Sequence, residues 1–194
     1  MRRLALAAIL AASFSCAADV EVEVSDVKIP DELRAKLTPD ITALLDQAAN
    51  SNRYTSNFDF NPNSHELYRN AIDKESDPGL KERIAQFATN KLWNDAYTLV
   101  NSSIFNEQTR LGMQRLTESI QIDPSPRDRD KSILWGINHL DEYYRRDTEH
   151  ETSFMSPKVA LGFLKSVRHY ATSTIGIIDV CIEQWNDRDL NRNQ

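Results

Sequence analysis

Four dipeptides, Thr38-Pro39, Asp77-Pro78, Ser125-Pro126 and Ser156-Pro157, constrain the fold of this chain more than any other feature. Each sets an oxygen-bearing side chain directly before a proline. At a helix start that oxygen accepts a hydrogen bond from a backbone N–H with no partner inside the helix. Proline loses nothing at the first helical position, because its missing N–H would have been unpaired there. Four such pairs predict four helix starts.

The apolar residues downstream recur with helical period. Ile41, Leu44, Leu45 and Ala48 share one face, and Leu80, Ile84, Phe87 and Ala88 open a longer helix through Leu92, Ala96 and Leu99. A break at Asn101-Ser102-Ser103 starts another helix carrying Phe105, Met113, Leu116 and Ile120, which Asp123-Pro124 ends. Ser64 is expected to cap a shorter helix through Leu67 and Ala71, while Ile133, Ile137, Leu140 and Tyr144 align after Pro126. The predicted architecture is all-α, a compact bundle of about six or seven helices.

The final stretch, over about 157–186, reads as one helix and the longest of the chain. Ala160, Phe163, Leu164, Val167, Ala171, Ile178, Cys181, Ile182 and Trp185 hold one face, with Thr174 its single polar member. Ile177 and Val180 point away from that face, so this end is expected to be enclosed by the bundle or by a second copy of the chain. Gly162 and Gly176 each cost about 1 kcal/mol of helix propensity. That cost is expected where another helix packs close.

Residues 1–18 read as a secretory signal: Met1-Arg2-Arg3, an apolar run from Leu4 to Leu10, and small residues to Ala18. The run falls short of the roughly 20 residues needed to span a membrane. Cleavage is expected after Ala17 or Ala18; the alternative is lipidation of Cys16, although Ser13-Phe14-Ser15 lacks the leucine usual three places before a lipid-bearing cysteine. Residues 19–30 form an extended arm in which Val20, Val22 and Val24 alternate with acidic residues. The arm is either flexible or adds to a partner's sheet edge. The helical domain covers 31–188 and a polar tail 189–194.

Without residues 1–18 the formal charge moves from -6 to -8, with 21 basic against 29 acidic residues. An acidic chain without a basic stripe is repelled by nucleic acid and anionic lipid, so neither is an expected partner. Cleavage leaves Cys181 as the lone cysteine, read as a small buried residue or as one half of an intermolecular disulfide, and the domain must be held by its core. Asn101-Ser102-Ser103 is the one glycosylation sequon.

Candidate chemistry is sparse. Tyr54, Phe58 and Phe60 stand in the Asn-rich loop 50–63 and either contact a partner or tuck into the bundle. Trp93, Trp135 and Trp185 are candidates to line a pocket between helices. Asp179 follows Ile177-Ile178 and is the one unusual acid: buried, its pKa would rise, as a general acid requires, while a salt bridge to Arg168 would hold it charged. Other carboxylates available for hydrolysis are Glu66, Asp141, Glu142 and Glu183. His65, His139, His150 and His169 have no metal-binding spacing, Glu149-His150-Glu151 being at most a surface cluster, and no metal or cofactor is expected. No nucleophile elbow and no phosphate-cradling glycine loop is present. The leading expectation is an exported helical protein that binds another macromolecule, most simply a protein. The alternatives are a carrier of a small apolar ligand held between helices and a carboxylate-dependent hydrolase.

Overall fold

The four prolines that follow cap residues each begin a helix in the computed structural model, which describes residues 28–49, 63–102, 106–150 and 155–192. Eight helices lie among the described residues: α1 (Asp31–Arg34), α2 (Pro39–Ala49), α3 (Ser64–Lys74), α4 (Pro78–Ser102), α5 (Asn106–Ile122), α6 (Pro126–His150), α7 (Pro157–Val167) and α8 (Ile175–Arg192). The caps differ in quality. Asp77 Oδ1 accepts the Leu80 N–H at 2.9 Å, whereas Ser125 Oγ and Thr38 Oγ1 accept at 3.3 and 3.4 Å. Ser156 makes no side-chain cap bond; its carbonyl takes the N–H groups of Val159 and Ala160. Ser64 is the first helical residue of α3 rather than its cap, a position Asn63 holds without a side-chain cap bond.

The expected stripes are buried. Ile41, Leu45, Ile84, Leu92, Leu116 and Ile137 are each at most 3% exposed, and burying a side chain of this size stabilises by about 1.5–3 kcal/mol. They divide into two cores. Helices α1 to α3 and the first half of α4 enclose one, around Leu45, Tyr68 and Ile84. The second half of α4, with α5 to α8, encloses the other, around Leu116, Ile137, Leu164 and Ile178. Helices α4 and α5 run antiparallel and pack most extensively of all pairs. Ser119 Oγ donates to the Thr89 carbonyl at 3.1 Å, and a Cβ on Gly112 would meet Val100 Cγ2 at 2.7 Å.

The single helix expected over 157–186 is two helices, and neither is the longest; α4 and α6, at 25 residues each, are. The break has a clear cause. Asp130 of α6 accepts the N–H groups of Thr172 and Ser173, both at 2.9 Å, and the hydroxyls of Ser173 and Thr174 at 2.7 and 3.0 Å. Ser and Thr side chains offer alternatives to helical hydrogen bonding, and here a neighbouring carboxylate collects them. The Thr174 carbonyl then accepts the N–H groups of Ile177 and Ile178 as α8 starts. Because α7 and α8 pack on each other, both halves of the apolar stripe still reach one core.

A further expectation fails for the same segment. A Cβ on Gly162 or Gly176 would meet nothing within 4 Å, so neither glycine marks a close helix approach; Gly112 and Gly136 do, the latter facing Phe163 and Leu116. On α8, Ile175 and Val180 are each 37% exposed, so the bundle alone does not enclose this end. Of the extended arm, only residues 28–30 lie within the described residues, and there Ile29 is buried in the first core.

Candidate functional site

Helix α4 carries two distinct faces set on opposite sides. Trp93 and Tyr97, one turn apart, stack with ring centroids 5.4 Å apart and planes 22° from parallel. Helix α6 answers with Trp135 and His139 at the same spacing, the imidazole edge-on to the indole at 4.2 Å. Trp135 closes the cluster against Trp93 at 5.6 Å and Tyr97 at 6.0 Å. All four rings are half-buried, and Trp93 and Trp135 pack against the second core.

The surroundings of this cluster are uncharged on the α4 side. Beyond Arg83, the only charged residues of α4 are Lys91 and Asp95, and both are buried. Its exposed and half-exposed polar positions are Gln86, Asn90, Asn94, Thr98 and Asn101. In a chain that is 27% charged, 19 residues with no ion on the solvent side set this face apart. On α6, Glu142 stands on the same stripe as Trp135 and His139, with its carboxylate 3.8 Å from His139 Nδ1 and 41% exposed.

The opposite side of α4 meets α3 and α5 in a layer of buried ions. Lys91 Nζ holds Asp95 Oδ1 at 2.5 Å; Arg115 Nη1 donates to both Glu118 Oε2 and Ser64 Oγ at 2.6 Å; Gln114 completes Glu118 at 2.8 Å. Tyr68 is fully buried beside these ions, its hydroxyl lacking a hydrogen-bond partner, and burial followed by the nearby Asp95 charge pushes its pKa upward. His65 Nε2 is likewise buried without a partner. Burial lowers the His65 pKa, with Arg69 and Arg115 adding to the effect and Glu118 opposing it. The layer lies where the two cores meet, between Leu92 and Ala96 on α4.

The residues singled out from sequence fall in separate places. Trp93 and Trp135 are brought together, but Trp185 is not part of their cluster: it is 3% exposed within the second core, with the Arg188 guanidinium 5.1 Å from its ring centroid. Asp179 is a half-exposed partner of Arg168, with contacts of 2.7 and 3.1 Å bridging the turn between α7 and α8. Its hydrogen bond to Arg168 holds its carboxyl below the ordinary range, opposite to what a general acid needs. Cys181 is buried with its thiol free, and burial together with Asp141 pushes its pKa up to about 11.

Asn101 is exposed but helical, its Nδ2 donating to the Tyr97 carbonyl at 3.0 Å. His169, Glu66 and Glu183 are exposed on three different elements, and Asp141 is half-buried. Tyr54, Phe58, Phe60 and Cys16, and the side chain of His150, lie outside the described residues. Among the described residues no three His, Cys, Asp or Glu side chains converge as a metal would require, and no helix is long and apolar enough to cross a membrane.

Sequence reasoning found neither the aromatic face as a unit nor the ionic layer. The signal for the first was present: Trp93/Tyr97 and Trp135/His139 share i, i+4 spacing, flanked by amides. The signal for the second was the placing of Lys91 and Arg115 each directly before a core leucine. Compared with protein-family models, curated proteins and solved structures, the chain matches none.

Proposed function

We propose that this chain is an exported helical binding protein and that the face shared by α4 and α6 docks another protein. One observation carries this: a half-exposed cluster of Trp93, Tyr97, Trp135 and His139 bordered on α4 by amides and no ion. Depletion of charge with enrichment in Trp and Tyr is what distinguishes the centre of a protein interface from the rest of a surface. Aromatic anchors carry most of the binding energy there, while Asn supplies adaptable hydrogen bonds around them. The amino-terminal signal pattern supports export.

The test introduces a charge into the face without touching the core. The mature chain is expected to retain a specific protein in affinity capture, and Asn94→Glu to lose it by about tenfold or more, one such charge costing more than 1.4 kcal/mol. Val180→Glu, on the exposed side of α8, serves as the control and should leave capture unchanged. Equal capture by all three proteins would overturn the proposal. Intact mass of the exported protein checks the address, through loss of 17 or 18 residues.

A further inference from the structure

We infer that the turn at 168–174 is a hinge held shut by Asp130. With Asp130 disengaged, α7 and α8 join into one straight helix whose α8 half completes the second core of another copy of this chain.

The apolar stripe is the first support. Ala160, Val167, Ala171, Thr174, Ile178 and Trp185 stay within one narrow arc of a helical wheel drawn straight through the break. Two helices joined by a turn need share no phase. No glycine or proline stands between 163 and 175 either, so no residue there forbids a continuous helix.

The second is what Asp130 takes. In a straight helix the N–H groups of Thr172 and Ser173 would donate to the carbonyls of Arg168 and His169, four places back. Here both go to the Asp130 carboxylate at 2.9 Å, and the hydroxyls of Ser173 and Thr174 follow at 2.7 and 3.0 Å. Carboxylate and helix compete for the same two donors. The bend is therefore imposed from α6, 42 positions away, and not by the segment that bends.

The third is exposure. Arg168, His169, Thr172 and Ser173 are all exposed, so the backbone can change course there without drawing those side chains through the bundle. The Arg168–Asp179 pair that spans the turn is itself half-exposed, and pairs of that kind hold weakly.

Straightening the hinge carries Ile178, Cys181 and Trp185 out of their own core, where each is at most 7% exposed. One surface already fits them: the place that the same helix leaves in a second copy. Exchange between two copies remakes the packing of α8 on α7 and on the second core, with no new complementary surface required. The occupant is thus a second copy of this chain.

The test reads the mass of the refolded mature chain by size exclusion with light scattering. Asp130→Ala is expected to raise the dimer-to-monomer ratio about tenfold or more over the unaltered chain. Thr172→Ala/Ser173→Ala alters exposed side chains only, removes one hydroxyl bond to Asp130 and favours a helix, so it should act in the same direction. Where Asp130→Ala does not fold, this variant alone decides. Adding Ser173→Pro to Asp130→Ala should return the monomer, because proline inside a straight helix clashes with the carbonyl four places back.

Spin labels at Lys158→Cys and Glu183→Cys, both exposed positions, separate exchange from side-by-side pairing. Labelled chains are diluted into unlabelled ones, so that only distances within one chain are read. A straight helix sets the two backbone positions about 38 Å apart, whereas α7 packed on α8 holds them nearer. A dimer with the long distance supports the hinge. A monomer in both latch variants, or a dimer that keeps the short distance, would overturn it.

Discussion

Glycine illustrates how much a single residue's effect depends on what surrounds it. Gly162 sits mid-helix in α7 with nothing near a would-be Cβ, so Gly162→Ala removes backbone entropy without a clash. It is expected to stabilise by about 0.5–1 kcal/mol in chemical denaturation. Gly112→Ala inserts a methyl 2.7 Å from Val100 Cγ2, with the Ala96 carbonyl at 3.3 Å behind it, and is expected to destabilise by about 1–3 kcal/mol in the same assay. Neither sign can be read from sequence, since both glycines stand among helix-forming neighbours. His65 gives a residue-scale pH effect. Burial depresses its pKa in the folded state. Its contribution to stability is therefore complete above the unfolded value of about 6.5 and is lost as pH falls through the lower folded value. His65→Gln should flatten the decline of melting temperature with pH across that window, and an unchanged slope would count against it.

At the scale of elements, the helix starts at Pro39, Pro78, Pro126 and Pro157 were readable because caps and prolines act through their own backbone. The break at 168–174 was not, because the stripe stays in phase across it and the residue that enforces it, Asp130, lies more than 40 positions away. Thr174, read as the polar member of a continuous face, is instead a buried hydroxyl bound to that carboxylate. The clamp has a pH signature. Burial pulls the Asp130 carboxyl upward, but the hydrogen bonds from Thr172, Ser173 and Thr174 outweigh it and leave the group below its ordinary value. Its stabilisation is thus present above the unfolded carboxylate value of about 3.9 and decays as pH falls through the lower folded value. Asp123 works in the opposite sense, its carboxyl raised by burial, so the effect is best isolated by difference. Asp130→Asn should lower stability by about 1–3 kcal/mol at neutral pH and by much less near pH 2, with thermal melts of both proteins as the check.

For the whole molecule, the composition and stripes fixed an all-helical bundle, and the positions of the buried leucines and isoleucines followed from their spacing. What periodicity does not carry is how one helix meets another. Lys91, Asp95, Arg115 and Glu118 look like surface ions in any one-helix wheel, and only the antiparallel pairing of α4 with α5 buries them. The aromatic face was obscure for the same reason, since Trp93 and Trp135 are 42 positions apart and meet only when α6 lies beside α4. Removing one ion from the layer should be worse than removing a pair. Arg115→Met is expected to cost about 3–5 kcal/mol by leaving Glu118 buried without its cation, whereas Arg115→Met with Glu118→Met should recover most of that loss. Equilibrium unfolding of the single and double variants measures the difference.

The ionic layer also works as an alignment key. Sliding α5 by one turn along α4 would move Gly112 and Ser119 away from Val100 and Thr89. At the layer the same slide would set Lys91, Asp95, Arg115 and Glu118 against hydrocarbon, each a penalty of several kcal/mol. The charges that contribute least to net stability thus choose a single register for the most extensively packed helix pair, and with it fix which rings of α4 arrive opposite Trp135.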